Sequence, residues 1–152
     1  MRIIKVNNND AIWANFGKLG HIVVVTTNQS FDLKGNLVMG AGIALEAKKR
    51  IPDLPALMSY ECVGYKVPYY YTEFGDRGIG CLQTKFNWKH WSPIGLVANS
   101  IEAFYEHTRK FPDIIFHCPL VATGYGGLNW ELDVLPLVAK LPDNVIFYDN
   151  RG

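Results

Sequence analysis

Two glycine-rich stretches hold the most chemical promise in this sequence. The first runs Gly35-Asn36-Leu37-Val38-Met39-Gly40-Ala41-Gly42 and opens into a helical pattern at Ile43. The second, Thr123-Gly124-Tyr125-Gly126-Gly127, directly follows the strand-like run Asp113–Val121. Glycine lets a backbone approach a ligand closely, and the free N–H groups at a helix start favour an anion. Two such loops facing each other could bracket a diphosphate. A dinucleotide fingerprint is not met, because Gly40-Ala41-Gly42-Ile43-Ala44-Leu45 lacks the third glycine and the preceding strand signal ends well upstream at Thr26. Between the loops, Lys85-Phe86-Asn87-Trp88-Lys89-His90-Trp91 interleaves cations with aromatic rings. Such rings can stack on bases while lysines meet phosphates.

Metal and disulfide chemistry find little support. His21, His90, His107 and His117 form no HxxxH pair, and no CxxC occurs, so neither a metal nor a cofactor is expected. The histidines read as surface or hydrogen-bonded core residues. Cys62, Cys81 and Cys118 are odd in number and widely spaced, which fits reduced, buried thiols.

The elements that must position the loops alternate between strand and helix. Arg2–Val6 is a short strand, and His21–Thr26 contains the β-branched run of a strand buried on both faces. Gly42–Arg50 places Ile43, Ala44, Ala47 and Ile51 on one helical stripe, ended by Pro52. Leu54–Val63 reads as a second helix. Tyr69–Phe74 and Ile79–Gln83 flank a Gly75–Gly78 turn as a hairpin. Ser92-Pro93 starts a helix with serine as its cap, Asp113–Val121 is a buried strand, Asp133–Leu141 a helix and Asn144–Tyr148 the last strand. Strands alternating with helices predict an α/β domain with helices on both sheet faces. Ligands on such sheets bind beyond the carboxyl ends of the strands, where both glycine loops fall.

Of the 152 residues, 49% are hydrophobic, enough for one core and against wholesale disorder. We expect a single domain spanning 1–152. Fifteen basic against 14 acidic residues give a net charge of +1, which excludes a strongly basic nucleic-acid wrapper. The amino terminus is too short in apolar residues for a signal-peptide core, and no run approaches a bilayer span. The expectation is a soluble, cytoplasmic monomer with no membrane association.

Three motifs, in order, carry a family resemblance. Val25-Thr26-Thr27-Asn28 followed by Gly35–Leu45 resembles the first signature of macro domains, and Ala122–Trp130 is similar to their second glycine loop. Gln83-Thr84-Lys85-Phe86-Asn87-Trp88 is similar to a segment of the ADP-ribosyl hydrolase branch, and the match spans nearly the whole chain. The resemblance implies a three-layer α/β/α fold with a mixed central sheet that binds ADP-ribose. Its relatives remove ADP-ribose from protein or nucleic acid, act on ADP-ribose 1″-phosphate, or only bind. The resemblance therefore implies an ADP-ribosyl hydrolase, with a non-catalytic ADP-ribose-binding module as the alternative.

It also implies roles. Asp10 would accept from the adenine amino group, although the glycine usual before it is Asn9 here. Asn28 would hydrogen-bond the distal ribose. Met39, Gly40, Ala41, Gly42 and Ile43 would surround that ribose and the diphosphate, while Thr123, Gly124, Tyr125, Gly126 and Gly127 would hold the phosphates. Lys85 would act at C1″ of the distal ribose, as a nucleophile if neutral or as an electrostatic stabiliser if charged. Some relatives carry an acid/base aspartate in the second loop where this chain has Gly126, which leaves a substrate-assisted or lysine-only mechanism open.

Overall fold

The computed structural model describes residues 1–59, 69–74 and 77–152. In chain order the elements are β1 (Arg2–Lys5), α1 (Asp10–Trp13), β2 (His21–Thr27), α2 (Gly42–Arg50), α3 (Leu54–Met58), β3 (Tyr69–Phe74), β4 (Arg77–Gln83), α4 (Ile94–Lys110) and β5 (Ile115–Pro119). A π-helical turn (Trp130–Val134), α5 (Leu135–Val138) and β6 (Val145–Asp149) complete the fold.

The strands form one six-stranded sheet in the order β1-β6-β5-β2-β4-β3. All neighbours are parallel except β3 and β4, which pair as the expected antiparallel hairpin. Residues 75–76 of its turn lie outside the described residues. The β-branched run of β2 shows why the sheet is sandwiched. Val23 and Val25 enter one apolar cluster with Ile12, Ile43, Ala47 and Leu54 from α1, α2 and α3. Ile22 and Val24, alternating to the other face, join Val97, Ile101 and Phe104 of α4 and Val134 and Val138 beyond the second loop. Period-two alternation with both faces covered gives the three-layer α/β/α architecture expected from the sequence.

Several local expectations are corrected. α1 was not anticipated, because four residues are too few to show a helical period. Ser92 does not cap α4. The helix starts at Ile94 with Pro93 at its N-cap and no side-chain cap bond, and the Ser92 hydroxyl is buried without a partner. The expected helix over Asp133–Leu141 is instead a π-helical turn running into α5, with Pro136 in the first turn of α5. α3 ends at Met58, and the expected continuation through 60–63 lies outside the described residues. Cys81 and Cys118 are buried free thiols; Cys62 falls outside the described residues. No helix among the described residues is long and apolar enough to cross a membrane.

Candidate functional site

Because five strands run parallel, their carboxyl ends share one edge of the sheet. The binding and catalytic residues read from the sequence follow those ends, as does one segment that the sequence did not single out. The turn to Asp10 leaves β1, the first loop leaves β2, Lys85 leaves β4, the second loop leaves β5, and Asn150-Arg151 leaves β6.

The first loop is braced by side chains rather than by regular structure. Asn28 Nδ2 donates to the Val38 carbonyl at 3.1 Å, and its Oδ1 accepts from Ser30 N–H at 2.8 Å. Val38 N–H donates to the Ser30 carbonyl at 2.9 Å. Asn28 thus holds the loop closed and keeps one Nδ2 hydrogen to offer. α2 begins beyond Ala41, an extended residue that supplies no side-chain cap. The first N–H groups of α2 are therefore left to an external acceptor. Met39 and Ile43 are 2% and 6% exposed, and their side chains belong to the core beneath the loop. Gly40, Ala41 and Gly42 lie at the surface.

The second loop is held in a strained shape. Ala122 has φ +61°, a left-handed conformation that costs a non-glycine residue about 1–2 kcal/mol. Leu128 N–H closes the loop onto the Ala122 carbonyl at 3.0 Å, and Gly127 N–H donates to the Gly124 carbonyl at 3.2 Å. Among the described residues, the N–H groups of Thr123, Gly124, Tyr125 and Gly126 have no acceptor. Four consecutive open donors form the kind of backbone array that binds phosphate. Gly126 is required sterically, since a Cβ there would collide with the Ala122 carbonyl oxygen and the Ser92 hydroxyl. Gly127, at φ +75°, lies against the Trp91 ring, which occupies the space a side chain would need.

A strap over 85–92 links the two loops. Trp88 N–H donates to Ser30 Oγ at 3.1 Å on the first-loop side. Ser92 N–H donates to the Gly126 carbonyl at 2.9 Å on the second. Thr84 N–H, bonded to the Thr27 carbonyl at 2.9 Å, fixes the strap's start at the end of β2. Lys85 is half-buried, and its Nζ lies 5.9 Å from the Tyr125 ring centroid and 3.5 Å from the Trp88 carbonyl oxygen. Burial lowers its pKa from the ordinary lysine value, and no carboxylate pairs with it among the described residues. Phe86, Trp88, Trp91 and Tyr125 are exposed around it.

At the far end of the edge, Asp10 is exposed, and its carboxylate has no partner among the described residues. Its N–H donates to Asn8 Oδ1 at 2.8 Å. Sequence reasoning missed what holds this corner. Glu46 of α2 accepts from Asn9 Nδ2 at 2.9 Å and from Trp13 Nε1 at 3.0 Å, tying α1 to α2. Arg50 stacks on Trp13 at 4.4 Å. A helical i, i+4 Glu–Arg pair beside a lone tryptophan was the available signal. Of the histidines, His117 is buried and bonded to His21 and Tyr148, and His107 is bonded to Tyr69, which are core roles.

No protein-family model matches the chain, and no curated protein matches its sequence. Solved structures do match. The macrodomain of Mycobacterium tuberculosis DarG superposes with a TM-score of 0.75 at 21% identity, covering 99% of this chain and 98% of that one. The macrodomain of Thermus aquaticus DarG gives 0.71 at 20% identity, over 99% and 97% of the two chains. Thermosipho africanus DarTG, solved in complex with ADP-ribose, gives 0.74 at 21% identity; the match covers 98% of this chain but only 42% of that longer one. The fold is the macro-domain fold.

Proposed function

We propose that this chain binds ADP-ribose across the carboxyl edge of its sheet and hydrolyses the bond at C1″ of the distal ribose. The observation that carries the reading is the pair of donor sets that leave neighbouring strands. One is the uncapped start of α2, and the other is the row of open N–H groups from Thr123 to Gly126. β2 and β5 are neighbours in the sheet, so their two loops stand side by side, one on each flank of a diphosphate. β1 and β4, the strands that lead to Asp10 and Lys85, are four places apart in the strand order, about 19 Å at ~4.8 Å per place. A nucleotide with its diphosphate over β5 and β2 would therefore reach Asp10 with its base and Lys85 with its second ribose. The complex of the Thermosipho africanus neighbour with ADP-ribose supports this choice of ligand.

The roles proposed are those that the resemblance implies. Gly40, Ala41, Gly42 and Thr123–Gly127 hold the phosphates through their backbones. Asp10 accepts from the adenine amino group. Asn28 holds the first loop and offers its remaining N–H to the distal ribose. Lys85 works at C1″: water adds there, and the departing group leaves with a proton. Burial lowers the pKa of Lys85, which makes its neutral amine easier to reach for proton transfer or attack at that carbon. The exposed rings of the strap receive whatever group ADP-ribose is attached to.

The test is a panel offering ADP-ribosylated protein, ADP-ribosylated DNA and ADP-ribose 1″-phosphate to wild type and Lys85→Ala. Turnover of at least one substrate is expected, with Lys85→Ala about 100–1000-fold slower while its ADP-ribose affinity stays close to wild type. Binding of ADP-ribose without turnover of any of the three would put the binding module in place of the enzyme. An unchanged rate in Lys85→Ala would remove the lysine from the reaction.

A further inference from the structure

Three consecutive residues at the head of the first loop reach three different places. Asn28 Nδ2 donates to the Val38 carbonyl at 3.1 Å, within the loop itself. Gln29 Nε2 donates to Gln83 Oε1, and Gln83 is fully buried at the end of β4, just ahead of Thr84 and Lys85. Ser30 Oγ accepts from Trp88 N–H at 3.1 Å, beyond Lys85. The segment from 28 to 30 therefore grips the chain on both sides of the lysine.

Of these grips, the one made by Ser30 falls on the strap. Thr84 and Ser92 tie the ends of the strap to the Thr27 and Gly126 carbonyls. From 85 to 91, the Trp88–Ser30 bond is the only hydrogen bond to the rest of the chain among the described residues. The other bonds there stay inside the strap, such as Lys89 N–H to Asn87 Oδ1 at 2.9 Å. The Ser30 hydroxyl is a fixed point because both backbone groups of the residue are engaged. Its N–H donates to Asn28 Oδ1 at 2.8 Å, and its carbonyl accepts from Val38 N–H at 2.9 Å. On the far side of the tie, the Trp88 carbonyl oxygen lies 3.5 Å from Lys85 Nζ. One bonded path thus runs from Asn28 through Ser30 and Trp88 to Lys85. A lysine stem is long and flexible, so its amine needs such an outside contact to keep one place.

We propose that Ser30 is a positioning residue: through Trp88, its hydroxyl sets Lys85 at a fixed place relative to Asn28. The proposal rests on the reading that Lys85 works at C1″ of the ribose that Asn28 meets, and adds what brings the two together. Positioning of the lysine and bracing of the loop predict different kinetics. Ser30→Ala removes the acceptor and leaves both backbone bonds of residue 30, so ADP-ribose affinity should stay near wild type. On a substrate that wild type turns over, kcat is expected to fall about tenfold or more with KM little changed. Ser30→Thr, which keeps the hydroxyl, is expected to restore it. In a Lys85→Ala background, Ser30→Ala should cost nothing further, because the hydroxyl acts only through the lysine. Losses that multiply, an unchanged kcat, a fall in ADP-ribose affinity that matches the fall in kcat, or no rescue by threonine would overturn the proposal.

A second measurement does not need turnover. Burial holds the Lys85 amine below the ordinary lysine pKa, and NMR of labelled lysine side chains follows its titration. Ser30→Ala should raise that pKa toward the ordinary value as the released side chain moves into water; an unchanged pKa would overturn the proposal. If wild type turns over no substrate, the hydrolase reading fails, and the lysine titration decides the role of Ser30.

Discussion

His117 provides a quantitative test of how the sheet beneath the second loop is held together. It lies on β5, 3% exposed, with Nε2 2.9 Å from His21 Nδ1 and Nδ1 2.8 Å from the Tyr148 hydroxyl. Burial, followed by the nearby His21, Lys18 and Arg2, lowers its pKa from 6.5 to about 4. The folded protein therefore keeps His117 neutral where the unfolded chain binds a proton. Between those two values the unfolded state holds more protons, so stability rises with pH across that window and falls as the pH drops from 6.5 toward 4. At ~1.4 kcal/mol per pH unit, moving from about pH 7 to about pH 5 removes about 2 kcal/mol through this one side chain. Urea unfolding at those two pH values measures the loss directly, with His117→Gln beside wild type. The variant loses stability at both pH values because Tyr148 and His21 lose a partner. Its difference between the two should nevertheless shrink by about 2 kcal/mol. If His117→Gln keeps the wild-type pH dependence, burial of a neutral imidazole is not what supports β5.

Further outcomes follow from the site. Gly126→Ala should lower ADP-ribose affinity about tenfold or more and cost about 1–3 kcal/mol in urea unfolding, because its Cβ meets the Ala122 carbonyl and the Ser92 hydroxyl; wild-type values in both measurements would mean the loop adjusts freely. Calorimetry should find AMP weaker than ADP-ribose, since AMP lacks most of what the two loops address, and equal affinities would remove the diphosphate from the site. Asp10→Asn should weaken ADP-ribose about tenfold and inosine diphosphate ribose less, because the carboxylate accepts from the amino group of adenine but is repelled by the carbonyl oxygen that replaces it; parallel losses would place Asp10 elsewhere than at the base edge.

The fold was legible because its signals are repeated and physical. The buried β-branched run of β2, the Gly42–Arg50 stripe and the Tyr69–Gln83 hairpin each rest on a period that a sequence displays. What stayed hidden depends on contacts between distant residues. Ser92 precedes proline as a cap would, but the Gly126 carbonyl takes its N–H and its hydroxyl turns under the second loop. Met39 sits among glycines as a loop residue would, yet its side chain drops into the core. The strain at Ala122 has no local sequence mark, since alanine is an unremarkable choice until its φ is known. Ser30 gave no signal either: its hold on the strap depends on Trp88 meeting it from 58 residues away. Lys85 was legible only through its family resemblance, and the strap that links it to both loops became visible only in three dimensions.

The account stands most directly on the backbone donors of the two loops. Amide proton and nitrogen shifts of the labelled protein, followed during titration with ADP-ribose, report on them one residue at a time. The account predicts the largest changes at the N–H groups of Gly40, Ala41 and Gly42 and of Thr123, Gly124, Tyr125 and Gly126, with their protons moving downfield as phosphate oxygens accept from them. Saturable binding that leaves both sets unmoved, with changes gathered elsewhere on the sheet, would contradict it.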